Sequence, residues 1–337
     1  MTSATLHQTV ASSADLEAEF ASLLSGCAIF ELTERAKFSL SGNDRVRWLN
    51  GMITNKIRDL AAGQGIYAFV LNPQGHILGD LYAYNRGESL LIDTDKAQAE
   101  KLLGIFRKYI IMDKVEIAEL SDKLTAIGVA GPKSRMILGK LGLDLPQLAP
   151  LQFVDMHWNN SAITILRTDN VALDSYEVWL APEHHSQVWS AFSDSGATPI
   201  SAETLELLRV ASGTPRYAQD IRERDLPQET EQLRALNFNK GCYIGQEIVE
   251  RIRSRGNVHR KFTGFEVRGP LPHGIKIQAD GKDVGEVTST ATLPLAAGPR
   301  HIALGYVRRE LATQPLQAGD VQLTATEIPF SGVFKQS

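Results

Sequence analysis

Cysteine is nearly absent from the 337-residue chain: Cys27 and Cys242 stand far apart with no CxxC spacing, which excludes a disulfide-stapled scaffold and fits a reducing compartment. Basic residues are missing from the start. No Lys or Arg precedes Arg35 and no apolar core follows an n-region, so neither a secretory signal nor a mitochondrial-type presequence is visible. Long apolar runs are missing too, none approaching the ~18 residues of a membrane span. The net charge of -4 excludes a surface that tracks phosphate backbones as a whole. These absences predict a cytoplasmic protein with no membrane partner and no direct nucleic-acid partner.

Familiar catalytic strings are also lacking: there is no Walker A run, no HExxH and no GxSxG. "GQGIYA" at 63–68 fits G-x-G-x-x-A, yet it enters a strand instead of opening a helix, so a pyrophosphate would find no helix N-terminus there. His184 and His185 have no partners at metal-ligand spacing, and no metal site is expected.

What is present is an ordinary globular composition, 43% hydrophobic, long enough for two or three domains. Residues 1–14 are Ser/Thr/Ala-rich and predict a loose tail, with order beginning near Asp15 in a helix capped by Gly26. "AKFSLSGNDRVRWLNGM" reads as strand, turn and short helix, and "LTAIGVAGPKSRMILGKLG" repeats that plan. Between them come strands "IYAFVLN", "HILGDLYAY" and "SLLIDT" and an amphipathic helix over Lys96 to Tyr109. The second half answers with strands "AITILRT" and "SYEVWLA" and helices near 183–193 and 201–211.

The expected fold is therefore α+β: two related modules, each an antiparallel sheet with helices on one face, with a cleft between them as the default ligand site. After Gly256 short alternating segments with an Asp280-Gly281 hairpin turn predict a small C-terminal β-barrel. The expected domains are a tail and helix over 1–26, a two-module region over 27–257 with an internal boundary near 121–124, and a barrel over 258–337.

Three charged residues sit inside apolar periodic segments: Asp80, Glu177 and Arg209. They are either salt-bridged or surface residues, or they line one cleft. In "NKGCYIGQEIVERIRSRGNVHRKF" (239–262), Gly241 and Gly245 bracket Cys242, and Ile244, Ile248 and Ile252 recur every four residues until Gly256. Cys242 thus precedes a helix N-terminus, where free N–H groups, and Lys240 if it faces the same way, would stabilise a thiolate. The competing reading is a small apolar filler. The basic run Arg251, Arg253, Arg255, Arg260, Lys261 reads equally as a solvated face or as a site for an anion.

The string Lys240-Gly241-Cys242-Tyr243-Ile244-Gly245-Gln246-Glu247 resembles the signature of the YgfZ family of folate-binding proteins, relatives of the glycine-cleavage T-protein (aminomethyltransferase). "FSLSGNDRVRWLNGMITN", "LAAGQGIYAFVLNPQGHILGD", "RTDNVALDSYEVWL", "LRVASGTPRYAQD" and "LPQET" extend the similarity over nearly the whole chain. The resemblance implies three subdomains around a central opening that binds tetrahydrofolate or a folate derivative. It places Tyr67 and Asp80 near the folate's reactive end, Glu177 on the pterin ring, and Arg209 in the folate-site motif.

It also implies support of iron–sulfur cluster assembly or repair, with iron–sulfur proteins or assembly factors as partners, tRNA-methylthiolating enzymes among those supported. A carboxylate can accept two N–H bonds from an aminopyrimidine edge, and an Arg offers a planar fork of donors. Where the T-protein pattern has paired acids this chain has Gly79-Asp80, and where it has an Asn this chain has Asp93. The resemblance thus implies an accessory factor in which folate sits between the modules and Cys242, the candidate functional thiol, works at its rim; the alternative, which those departures weaken, is a folate-dependent aminomethyl or one-carbon transferase with Asp80 as the candidate catalytic group.

Overall fold

A computed structural model describes residues 12–256 and 258–334; most of the tail expected over 1–14, together with Asn257 and residues 335–337, lies outside them. Helix α1 (Ser13–Ser25) begins before Asp15 because Ser12 and Asp15 form a capping box. The Asp15 N–H donates to Ser12 Oγ at 3.2 Å, and the Ser12 N–H donates to the Asp15 carboxylate at 3.1 Å.

The chain continues through β1 (Ala28–Glu31), β2 (Arg35–Ser41), α2 (Arg45–Met52), β3 (Gln64–Leu71), β4 (Ile77–Asn85), β5 (Leu90–Asp95), α3 (Lys96–Tyr109) and β6 (Glu116–Glu119). Next come β7 (Thr125–Ala130), α4 (Ser134–Lys140), β8 (Phe153–Trp158), β9 (Ser161–Arg167), β10 (Ser175–Leu180), α5 (His185–Asp194), β11 (Thr198–Pro199) and α6 (Ala202–Ala211). A long connection leads to α7 (Gln246–Arg255), followed by β12 (Arg260–Val267), β13 (Lys276–Ala279), β14 (Lys282–Leu295), β15 (Gly298–Arg308), β16 (Leu316–Ala318) and β17 (Val321–Thr326). None of the described helices is long and apolar enough to cross a membrane.

The first module is an antiparallel sheet in the order β3-β4-β5-β2-β6. Its outer face packs Ala68, Val70, Leu81 and Ile92 against Leu49 and Met52 of α2 and Leu102 and Phe106 of α3. The second sheet runs β11-β1-β7-β10-β9-β8, and α4 and α5 cover its outer face through Ile137, Leu138, Val188 and Phe192. The two inner faces meet across Tyr84 and Leu91 on one side and Ala126, Phe153, Leu166 and Trp179 on the other. The fold is thus α+β, two sheet-and-helix modules packed sheet to sheet, with a closed six-stranded barrel at the C-terminal end.

One expectation is corrected. The modules do not follow one another in sequence over 27–257, because β1 lies in the second sheet, antiparallel to β7 and parallel to β11. Ala28, Ile29 and Phe30 form a continuous apolar run, which suits a strand covered on both faces and does not by itself choose between the sheets; α1, α5 and α6 all pack against β1 in the second.

The barrel order is β12-β15-β14-β13-β16-β17. The expected hairpin turn is there, with Asp280 and Gly281 both at positive φ (49° and 73°), as a type I′ turn requires. The connection between α6 and α7 ties the barrel to the body through ions. On β14, Glu286 accepts from Arg222 at 2.6 Å and Arg224 at 2.7 Å, with Lys276 at 3.4 Å.

Burial acts to raise the Glu286 pKa, and these cations outweigh it, holding the carboxyl at about 2, below its ordinary 4.5. A carboxylate lowered in the folded state contributes stability that is complete above the unfolded value and is lost as pH falls toward the folded one. Glu286→Gln is therefore expected to flatten the decline in urea midpoint between about pH 5 and pH 2.5. Parallel pH profiles for the two proteins would sink this assignment.

Candidate functional site

Strand period and register bring the candidate residues onto facing rows. In the first sheet Tyr67, Tyr82, Asp93 and Lys37 are successive cross-strand partners, with Asp80 two residues before Tyr82 on the same face. In the second sheet the corresponding row is Phe30, Gly128, Glu177 and Leu166. Gly128 has no side chain, and a Cβ there would lie 2.0 Å from the Phe30 ring. The ring therefore lies across the strand beside Glu177.

Asp80 is held from two sides: the Tyr67 hydroxyl donates to Oδ2 at 2.6 Å and the Gln98 amide to Oδ1 at 2.5 Å. Burial, then the charge of Asp80, pushes the Tyr67 phenol well up, so it remains a donor. Glu177 is half-buried and accepts from the Trp179 indole at 2.7 Å. Burial raises its pKa first and the Asp93 charge second, while Lys37, Arg35 and the indole oppose them. Asp93 is itself buried and paired with Arg35 at 3.1 Å and Lys37 at 3.7 Å.

A cavity of about 590 Å³ opens where the two modules and the barrel meet. Phe30, Tyr82, Glu177, Arg209, Ser212 and Lys261 are among its lining residues. Glu177 and Arg209 are thus brought to one cavity, while Tyr67 and Asp80 lie behind its wall: Tyr82, whose ring is 5.0 Å from that of Tyr67, lines it and they do not. Arg209 is engaged by protein at all five N–H positions. It donates to both Glu206 oxygens, to Thr214 O and Asp220 Oδ2 at 2.7 Å, and to Ser289 Oγ at 2.7 Å. It therefore shapes the wall as a charge and leaves no donor for a ligand.

Sequence reading missed the strap across this cavity. Asp169, on the loop before β10, takes the Tyr82 hydroxyl at 3.2 Å and pairs with Arg234, whose guanidinium lies 4.6 Å over the Tyr67 ring. Both strap residues are in irregular segments, where no periodicity points to them. Tyr82 did carry a signal, two residues from Asp80 in one strand.

The segment Lys240 to Glu247 is held at Lys240 and over Tyr243 to Gln246, and exposed at Gly241, Cys242 and Glu247. Lys240 is buried, and its ammonium donates to the carbonyls of Asn50, Ile53 and Asn55 at 2.5–2.7 Å. It does not serve as a cation for Cys242. Burial, with Arg58 nearby, pulls it down to about 7, and the three carbonyls work the other way by favouring the charged form. Tyr243 is in the core, and the Ile244 N–H donates to Gly51 O at 3.1 Å. Gly245 caps α7 at φ 83°, where a Cβ would come within 2.6 Å of Asn72 O.

Gln246 bonds back to Tyr243, and Glu247 is exposed. Gly241 and Cys242 are also exposed, and Cys242 does not line the cavity. The apolar filler is Cys27, buried and pushed up to about 11 by desolvation. Of the basic run, Arg251 is exposed, Arg253 stacks on Phe238 and pairs with Glu250, Arg260 is bound to Asp225 and Glu229, and Lys261 reaches the cavity. Among the described residues no group of three His, Cys, Asp or Glu is placed to hold a metal ion.

A two-module body around such a cavity defines a class: the model of the GCVT N-terminal domain matches residues 7–240, and the chain belongs to that family. Its last part is narrower in kind, since residues 259–330 match the C-terminal β-barrel domain of CAF17. Similar curated proteins include an aminomethyltransferase of Rubrobacter xylanophilus, 29% identical over 88% of this chain and 80% of its own length. Another, from Rippkaea orientalis, is 28% identical over 88% of this chain and 82% of its own length. The crystal structure of glycine cleavage system aminomethyltransferase T from Bartonella henselae has the same fold. It superposes with a TM-score of 0.84 at 18% identity, covering 96% of this chain and 91% of that one.

Proposed function

We propose that the chain binds tetrahydrofolate or a folate derivative in the three-part cavity and acts as an accessory protein in iron–sulfur cluster assembly or repair. On this reading it supports iron–sulfur enzymes such as those that methylthiolate tRNA. The observation that carries the folate part is the pair formed by the Phe30 ring and the Glu177 carboxylate on either side of Gly128. A flat heterocycle with an N–H edge needs an aromatic floor and an acceptor beside it. The volume lies within the ~300–1,000 Å³ of small-molecule sites, and the orphaned Ser212 hydroxyl in the wall fits a polar ligand. When bound, the folate would supply one-carbon chemistry; Glu177 would orient its ring and the Asp169–Arg234 strap would limit access of water.

Glu177→Gln keeps the shape and loses the charge, so tetrahydrofolate should bind roughly 10- to 100-fold more weakly, the worth of one or two charge-assisted hydrogen bonds. Calorimetric titration showing equal affinity would remove Glu177 from the site.

The iron–sulfur part is supported by the family resemblance and by Cys242, an exposed thiol in a segment held by contacts on both sides of it. A single thiol cannot hold a cluster, so a client or assembly factor would supply the other ligands. The alternative is a folate-dependent one-carbon transferase, favoured by the Asp80 carboxylate poised between Tyr67 and Gln98. Turnover that disappears in Asp80→Ala would establish it.

A further inference from the structure

Three cations line the cavity, Arg209, Arg234 and Lys261, and they differ in what already occupies them. All five Arg209 donors have protein acceptors, and Arg234 is paired with Asp169. Lys261 has no ion-pair partner and its ammonium makes no hydrogen bond among the described residues, although the side chain is half-buried and reaches the cavity from the barrel side. A half-buried ammonium without a counter-charge is a place for an anion.

A second feature lies at the same end. Ser212, just after α6, is 7% exposed and lines the cavity, and its hydroxyl has no partner. A buried hydroxyl without a partner is unfavourable, and a ligand atom that bonds to it would relieve that cost. The segment after β17 joins the two features: the Phe330 N–H donates to Ala211 O at 3.1 Å, and the Thr263 hydroxyl donates to Thr326 O at 3.0 Å. Thr263 is two residues from Lys261 and lines the same cavity. Glu327, exposed, is on this rim as well, so the site is not a general anion trap and a second negative charge would meet repulsion.

Resting on the folate reading, we infer that Lys261 and Ser212 form a second subsite, at the barrel end, for the carboxylate-bearing tail of a ligand whose ring lies at Glu177. The cavity then reads its ligand at two ends, an N–H edge by a carboxylate and an anion by an ammonium.

The test is calorimetric binding of three probes to the full chain: tetrahydrofolate, its triglutamate, and a tail-less methyltetrahydropterin. Wild type should prefer tetrahydrofolate to the tail-less compound, and Lys261→Ala should weaken tetrahydrofolate about 10-fold while leaving the tail-less compound unchanged. Lys261→Arg should retain most of the preference, Ser212→Ala should weaken only the tailed probes, and Glu327→Gln should tighten the triglutamate most. Equal weakening of tailed and tail-less probes by Lys261→Ala, or none, overturns the subsite. If wild type binds all three probes equally, the subsite falls and the folate reading stands. If it binds none, both fall.

Discussion

Asp220→Ala is expected to lower the unfolding free energy of the first urea transition by ~3–5 kcal/mol, the range for breaking a buried charge pair from one side. Asp220 is fully buried and accepts four hydrogen bonds: from Arg209 at 2.7 Å, the Arg216 N–H at 2.9 Å, the Ser289 hydroxyl at 2.7 Å and the Thr288 hydroxyl. Arg209 belongs to α6, while Thr288 and Ser289 belong to β14, so one carboxylate joins body and barrel. Its loss strands a guanidinium whose side chain is 10% exposed, leaving only Glu206 as counter-charge. Because several domains are involved, a single two-state transition is not assumed. The barrel should loosen first and become sensitive to protease. A midpoint within experimental error of wild type would show that the junction is held elsewhere.

Lys240→Met and Cys242→Ala should separate cleanly although two residues apart. The first leaves three carbonyls without their donor and should destabilise the fold by ~3–4 kcal/mol. The second alters an exposed side chain and should fall within ~0.5 kcal/mol of wild type. On the proposed function, Cys242→Ala in cells lacking the protein should fold and bind folate yet fail to restore iron–sulfur enzyme activity. Full restoration would leave the thiol without a role, and loss of folate binding in the same variant would mean that the two functions share one site.

Much of the architecture was legible because it is periodic. The strand at 77–85 alternates, those at 64–71 and 90–95 are short apolar runs bounded by turns, α3 over Lys96–Tyr109 keeps its apolar stripe, and Asp280-Gly281 carries its own turn chemistry. Asp80, Glu177 and Arg209 stood out as charges in apolar segments, and two of them line the cavity. The Asp169–Arg234 strap was not legible, since residues in irregular segments acquire neighbours only through the fold. Nor was the role of Lys240, because a buried ammonium under three carbonyls and a solvated one are the same letter.

The placement of β1 bears on how the chain acquires its shape. Ala28 is among the earliest described residues to be made, yet its partners are Ala130 and Thr198. The first sheet uses only residues 35–119 and can close while the rest is still being synthesised, but the opening strand must wait for β7 and β11. During that interval α1 carries Phe20 and Leu23, both fully buried in the finished molecule, without their shelter. The growing chain therefore holds α1 and β1 open to misassociation until residues 125–199 have emerged, and the shelter of Phe20 and Leu23 is completed only when the barrel residues Phe262 and Leu293 arrive.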